Sequence, residues 1–261
     1  MPQIAIAGTP GSGKTTFWEI LLEREPNFAG ALAEFEIPSW PEGFSPVVQT
    51  PFKIPVPIRN FMLCAGCALC QKSCPFGAIW EEDLWIDPLI CEGCGVCVKN
   101  CPNQALQMAN MQIGELIEGR IGERKIYTGK IFPGARGTPR LLRGLKEKLP
   151  REEVVVWDLP ARFGEFLAAA LEGVEKIFLF LTPENASSYL LERVSYFSSR
   201  AETYFLINRI TESSLSLEEL RIQGERRGFK FLEEVPELSS SEKLKERFRA
   251  ILSTFPELAK I

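Results

Sequence analysis

The sequence predicts an α/β fold: a parallel sheet with helices on both faces, into which a smaller α+β module is inserted. Three observations predict it. Apolar runs of strand length alternate with amphipathic runs of helix length through most of the 261 residues. The first apolar run leads into a glycine-rich turn that opens a helix. All eight cysteines fall in one stretch, Cys64 to Cys101, that stands outside the alternation.

The elements follow in order. Gln3 to Ala7 reads as a short buried strand, Gly8 to Gly13 as a loop and Lys14 to about Glu25 as a helix. Phe28–Ile37 reads as a second strand with its turn. A connector follows with Pro38, Pro41, Pro46, Pro51, Pro55 and Pro57. Proline has no amide hydrogen, so this segment excludes a helix and favours an extended crossing chain. Beyond the cysteines, Met111–Glu118 and Glu123–Ile131 alternate like a two-stranded ribbon. Then helices are expected at Pro139–Leu149, Phe163–Leu171, Ala186–Ser198, Leu217–Arg227 and Ser241–Phe255, the last started by Ser239-Ser240-Ser241-Glu242. Strands are expected between them at Val154–Asp158, Ile177–Leu181, Tyr204–Asn208 and Phe229–Val235. Continuous apolar strands separated by helices imply a parallel sheet buried on both faces. The cysteine stretch interrupts that sheet, so the expected division is residues 1–55 with 109–261 for the sheet domain and 56–108 for the insert.

Composition removes several functions. A net charge of −4 and a pI near 5.3 argue against a nucleic-acid partner. Eighteen Phe against four Tyr point to apolar packing rather than a stacking surface. The N-terminal residues lack the features of a signal peptide, and no run is long and apolar enough for a membrane span. A cytoplasmic protein with reduced thiols is the expectation. Histidine is absent. That removes the commonest general base and every imidazole metal ligand, leaving thiolates, carboxylates, Lys, backbone dipoles and bound cofactors. The run Lys243–Arg249 reads as a solvated helix face, and Arg136, Arg140 and Arg143 likewise.

The cysteines form an internal repeat. Cys64, Cys67, Cys70 and Cys74 recur 27 residues later as Cys91, Cys94, Cys97 and Cys101, and Pro75 and Ala78 recur as Pro102 and Ala105. The pattern C-x2-C-x2-C-x3-C-P, present twice, is that of a bacterial ferredoxin holding two [4Fe–4S] clusters. Three thiolates two residues apart grip three corners of one cube, and the fourth, before proline, serves the other. The expected ligand sets are Cys64, Cys67, Cys70 with Cys101, and Cys91, Cys94, Cys97 with Cys74. Gly66, Gly93 and Gly95 allow close backbone approach to cluster sulfur. Leu63, Leu69, Phe76, Ile79, Val96 and Leu106 are expected to exclude water. Zinc knuckles pair C-x2-C units across a longer loop, which this spacing does not match.

The glycine loop Gly8-Thr9-Pro10-Gly11-Ser12-Gly13-Lys14-Thr15 satisfies G-x-x-x-x-G-K-[ST] and, with Thr16, opens a helix directly after an apolar strand. Backbone amides of residues 11–15 would surround a β-phosphate, Lys14 would reach the β/γ-phosphates and Thr15 would ligate Mg²⁺. A second acid is needed near the metal. Asp158 ends the apolar run Val154–Trp157, where a parallel strand points its last side chain into the ligand crevice. Capping the next helix is the competing role for it.

With both motifs in view, the chain resembles the MinD/Mrp group of ParA-like P-loop ATPases, in the branch with a ferredoxin insert. The resemblance rests on the N-terminal P-loop, the insertion after the second strand and the phrase Thr128-Gly129-Lys130-Ile131-Phe132-Pro133-Gly134. It rests also on the order Asp158-x-Pro160, Leu181-Thr182-Pro183, Ile207-Asn208-Arg209. It implies binding of ATP or ADP with Mg²⁺, catalytic roles for Lys14 and Asp158, and Asn208 at the adenine edge. It also implies a homodimer or a complex with a related ATPase. Thr9 stands where the group has a second lysine, and Glu34-Phe35-Glu36-Ile37-Pro38 and Asp158-Leu159-Pro160-Ala161-Arg162 replace its switch segments. Slow hydrolysis is therefore expected. The combined expectation is a nucleotide-gated protein passing single electrons to a partner. Cluster assembly or delivery to an acceptor protein, and a ferredoxin on a non-hydrolysing P-loop, are the alternatives.

Overall fold

The computed structural model describes residues 2–36, 40–88, 90–135, 137–197, 200–211 and 217–259. Ile37, Pro38, Arg136 and Ser198, each given a place by the sequence reading, lie outside them. Nine strands form one sheet: β1 (Gln3–Gly8), β2 (Phe28–Leu32), β3 (Phe44–Arg59), β4 (Leu106–Ile121), β5 (Arg124–Ile131), β6 (Val154–Asp158), β7 (Lys176–Leu181), β8 (Glu202–Ile210) and β9 (Lys230–Pro236). Their order is β3-β4-β5-β2-β6-β1-β7-β8-β9. From β5 to β9 neighbours run parallel, as expected, while β4 runs antiparallel to both β3 and β5, so the sheet is mixed.

Alternation along the buried strands sorts the core into two layers. Ile4, Ile6, Phe178 and Phe180 point to one face, where α1 (Lys14–Arg24) and α8 (Ser241–Thr254) pack. Ala5, Ala7, Ile177 and Leu179 point to the other, covered by α4 (Thr138–Lys148), α5 (Glu165–Leu171), α6 (Asn185–Phe197) and α7 (Leu217–Arg226). The phenylalanines are core packing, as expected: the Phe17 ring lies 4.9 Å from Phe180 and 5.5 Å from Phe248. Ser240 caps α8 by accepting from the Lys243 amide. Among the described residues no helix is long and apolar enough to cross a membrane.

The proline-rich connector is extended, as expected, and residues 44–59 of it form a 16-residue edge strand paired with β4. An edge strand needs only every second amide for its ladder. The Asn60 amide donates to the Ala105 carbonyl at 2.8 Å, so even-numbered residues face β4. Pro51, Pro55 and Pro57 occupy the other parity, and a register shift between Pro46 and Val48 puts Pro46 there too. Every proline of the strand thus sits where its missing hydrogen would have pointed away from β4. The strands β3 and β4 run on through residues 56 and 108, and the cysteine segment hangs from the far end of this ribbon.

Candidate functional site

Two constellations emerge, one at the carboxyl ends of the parallel strands and one at the tip of the ribbon. At the first, β1 delivers the chain into the glycine loop, and close packing there explains the glycines. A Cβ on Gly8 would stand 2.2 Å from the Phe180 carbonyl oxygen, and Gly13, at φ 91°, leads into α1. The loop is held from below. Ser12 Oγ donates to the Thr9 carbonyl at 2.7 Å, and Asn208 Nδ2 donates to the Ser12 carbonyl at 2.9 Å.

Lys14 folds over the loop and donates to the Thr9 carbonyl at 2.8 Å, an oxygen that stands here where the lysine would meet a phosphate. Burial lowers its pKa while Asp158 opposes the shift. Thr15 Oγ1 donates to Asp158 Oδ2 at 2.6 Å, so the two expected Mg²⁺ partners already touch. Burial pushes the Asp158 carboxyl up to about 6, against the pull of Thr15 and Lys14. Both side chains line an open cleft of about 280 Å³ with Glu19, Glu34, Trp40 and Thr128. Asp158 ends its strand and caps no helix: α5 begins only at Glu165, and Gly164 is its N-cap residue.

Asn208 and Thr9 make their contacts within the protein. The family resemblance places Asn208 at an adenine edge; the structure gives its protein contacts. Its carboxamide is buried, donating to Ser12 and accepting from the Arg209 amide at 2.8 Å, so it braces the loop. Thr9 is fully buried and its hydroxyl meets Thr182 Oγ1 at 2.9 Å.

At the ribbon tip the repeat is written in the backbone as well as the sequence. Positive φ occurs at Gly66, Ala68 and Gly77, and 27 residues on at Gly93, Gly95 and Gln104. One-turn helices α2 (Leu69–Lys72) and α3 (Val96–Lys99) follow the second of these in each half. The Ala78 amide donates to Cys74 Sγ and the Ala105 amide to Cys101 Sγ, both at 3.3 Å. The Gly93 amide donates to Cys91 Sγ at 3.4 Å. Such bonds stabilise sulfur that carries negative charge.

The thiols fall into two groups. Cys64, Cys67 and Cys70 line one cavity, and the fourth cysteine in its wall is Cys101, from the other half. On the other side, burial pushes the Cys97 thiol up to about 11, and Cys91, Cys74 and Cys94 add to the rise. Burial likewise raises Cys91, with Cys74 and Cys94 contributing, so these four thiols lie together. Among the described residues no three Cys, Asp or Glu converge on a single-ion site. Four thiols around a cavity fit a polynuclear group. The apolar shield is thinner than expected: Ile79 and Leu106 are buried, but Leu63, Leu69 and Phe76 are about half exposed.

A chain of polar contacts joins the two constellations. Arg162 donates to Glu34 at 3.0 Å and to Glu36 at 2.8 Å, and Thr138 Oγ1 donates to Glu36 at 3.4 Å. Two residues further along α4, Arg140 pairs with Glu92 and reaches the Cys91 carbonyl. Arg140 is therefore not the solvated residue that its helix pattern suggested. Its partners lie about fifty positions away in sequence, beyond any local pattern.

Residues 84–107 match the family model "4Fe-4S binding domain". The second repeat is a 4Fe–4S binding element. No curated protein matches the chain. Among solved structures, it is similar to the septum site-determining protein MinD complexed with Mg-ADP from Pyrococcus horikoshii OT3. That match has 14% identity and a TM-score of 0.47, covering 99% of this chain and 90% of the other. A ParA family ATPase from Chlorobium tepidum TLS matches at 12% identity and TM-score 0.48, covering 99% and 95% of the two chains. A putative plasmid partition protein from Borrelia burgdorferi B31 bound to AMPPNP matches at 12% and 0.49, covering 98% of each.

Proposed function

We propose that this chain holds two [4Fe–4S] clusters on the ribbon and a Mg²⁺–adenine nucleotide at the glycine loop, and that nucleotide state governs one-electron transfer to a partner protein. The observation that carries the reading is the cavity whose wall takes Cys64, Cys67 and Cys70 from one repeat and Cys101 from the other. When bound, such clusters supply one-electron chemistry without protons or bond changes. The protein's residues do the rest. The thiolates and the Ala78, Ala105 and Gly93 amides hold and bias the sites. Lys14 and the loop amides bind phosphate, and Thr15 and Asp158 take Mg²⁺.

The contacts from Arg162 through Glu36 and Thr138 to Arg140 support coupling. Glu34 lines the nucleotide cleft, so a γ-phosphate or its absence changes the charge that Arg162 meets, at one end of a path that finishes beside Cys91. Thr9 in place of a second lysine supports slow hydrolysis. The division into a sheet domain and an insert at 56–108, and a reducing cytoplasmic setting suited to free thiolates, belong to the same reading. A partner has somewhere to dock: Phe61 and Met62 are 78% and 92% exposed next to Cys64.

Dithionite-reduced protein, mixed with a one-electron dye acceptor, is expected to reoxidise at different rates with MgATP and MgADP, and Lys14→Ala is expected to abolish the difference. Identical rates in both nucleotides, with binding confirmed by calorimetry, would contradict gating. The exposed Cys67 and Cys94 favour a second reading, cluster delivery. It predicts iron loss from this chain to an apo-acceptor, where electron transfer predicts retention.

A further inference from the structure

Arg59, at the end of β3, is a charge that nucleotide binding and thiolate ligation leave unexplained. Its guanidinium lines the cavity that holds Cys64, Cys67, Cys70 and Cys101. Nη2 lies 3.8 Å from Cys70 Sγ, an atom that stands here for a thiolate bound to iron. Nη1 donates to the Asp83 carbonyl at 3.4 Å, and the guanidinium carbon sits 5.9 Å from the Phe61 ring centroid. Its Nε is buried and, among the described residues, has no hydrogen-bond partner. A carbonyl, a sulfur and a ring therefore surround it, and no carboxylate among the described residues cancels its charge.

The second repeat has no equivalent. Shifting Arg59 by the 27-residue period lands on Ile86, an apolar residue packed beside the cysteines. Beside that site Arg140 reaches the Cys91 carbonyl and is paired with Glu92. One set of thiolates thus faces a guanidinium with no ion-pair partner among the described residues, directed at a ligand sulfur, and the other a guanidinium held in an ion pair and directed at a backbone carbonyl.

We propose that Arg59 makes the two cysteine sites electronically unequal, holding the reduction potential of the Cys64/Cys67/Cys70/Cys101 site above that of the Cys91/Cys94/Cys97/Cys74 site. This rests on the two-cluster reading. Reduction adds a negative charge to a site, and a nearby unpaired cation in a partly desolvated setting favours that charge. Arg59 is a positioning residue: it draws the electron toward one site without touching a partner. With clusters held by these cysteines, an electron from a low-potential one-electron donor protein would be favoured at the first site over the second, one oxidation matching one reduction. It comes to rest beside Phe61 and Met62, the exposed apolar rim, from which a one-electron acceptor protein takes it.

Potentiometric titration of the anaerobically prepared, fully loaded protein, followed by electron paramagnetic resonance, tests this. Two separated one-electron midpoints are expected. Arg59→Gln is expected to lower the higher midpoint and narrow the gap at unchanged iron content, and Arg59→Lys, which keeps the charge, to restore most of it. The proposal is overturned if Arg59→Gln leaves the higher midpoint in place, moves the lower one instead, or loses iron that Arg59→Lys retains. Coincident wild-type midpoints at about eight irons would sink the role of Arg59 alone. About four irons would sink the two-cluster reading and this inference with it.

Discussion

Cys101→Ala protein, prepared without oxygen, is expected to keep about four of about eight irons, and the irons it loses are those held by the first repeat. The reason is the exchange of the last ligand. Cys101 stands in the wall of the cavity built by Cys64, Cys67 and Cys70, while Cys74 lies with Cys91, Cys94 and Cys97. Removing one thiolate of four opens that site to water and lability, and the other set stays complete. A pair of double variants identifies which site was emptied, because changes within one unit do not add. Cys64→Ala on the Cys101→Ala background is expected to cost no further iron, and Cys91→Ala on it to remove nearly all. The opposite pattern would mean that each repeat closes its own site with Cys74 or Cys101, and would overturn the assigned ligand sets.

The second large effect is at Asp158. Its folded carboxyl titrates at about 6, raised by burial from an ordinary 3.8. The native state therefore holds this proton more tightly than the unfolded chain. The group costs stability as pH rises from about 4 to about 6, and the whole cost is present above that window. In nucleotide-free, magnesium-free protein at pH 7.5, Asp158→Asn is expected to gain up to about 3 kcal/mol, less where water entering the open cleft screens the charge. At pH 4 parent and variant should converge. The asparagine still accepts the Thr15 hydroxyl, so the gain isolates charge from geometry. With Mg²⁺–nucleotide present the order reverses, because the metal neutralises Asp158 in the parent and has lost a partner in the variant. Urea unfolding at the two pH values, with and without nucleotide, reads both signs. A destabilised variant at pH 7.5 in the absence of ligand would show that the carboxylate is held favourably, contrary to this account.

Much of this architecture is legible in the sequence, because the signals are local or periodic. Val154–Asp158 and Ile177–Leu181 read as buried parallel strands from composition alone, and the residues Gly8 to Thr15 carry a spacing that chance rarely produces. The cysteine sets follow from a repeat that the backbone then copies, down to positive φ at Gly66 and Gly93. What stays hidden depends on partners distant in sequence. Four prolines argue against a strand until one knows that Phe44–Arg59 lies at a sheet edge and that a register shift brings Pro46 into phase with the others. Ala68 and Gln104 take a left-handed conformation that only their place in the repeat betrays. The place of Asn208 at an adenine edge is implied by the family resemblance alone. The close approach of Ser12, which draws its amide inward, is a three-dimensional fact. Arg59 and Arg140 carry no motif at all. Each acquires meaning from which loop folds back on it.

The most direct test of the whole account is a count of iron and acid-labile sulfide per chain in anaerobically purified protein. About eight of each is the predicted result. About four of each, or zinc in place of iron, would contradict it.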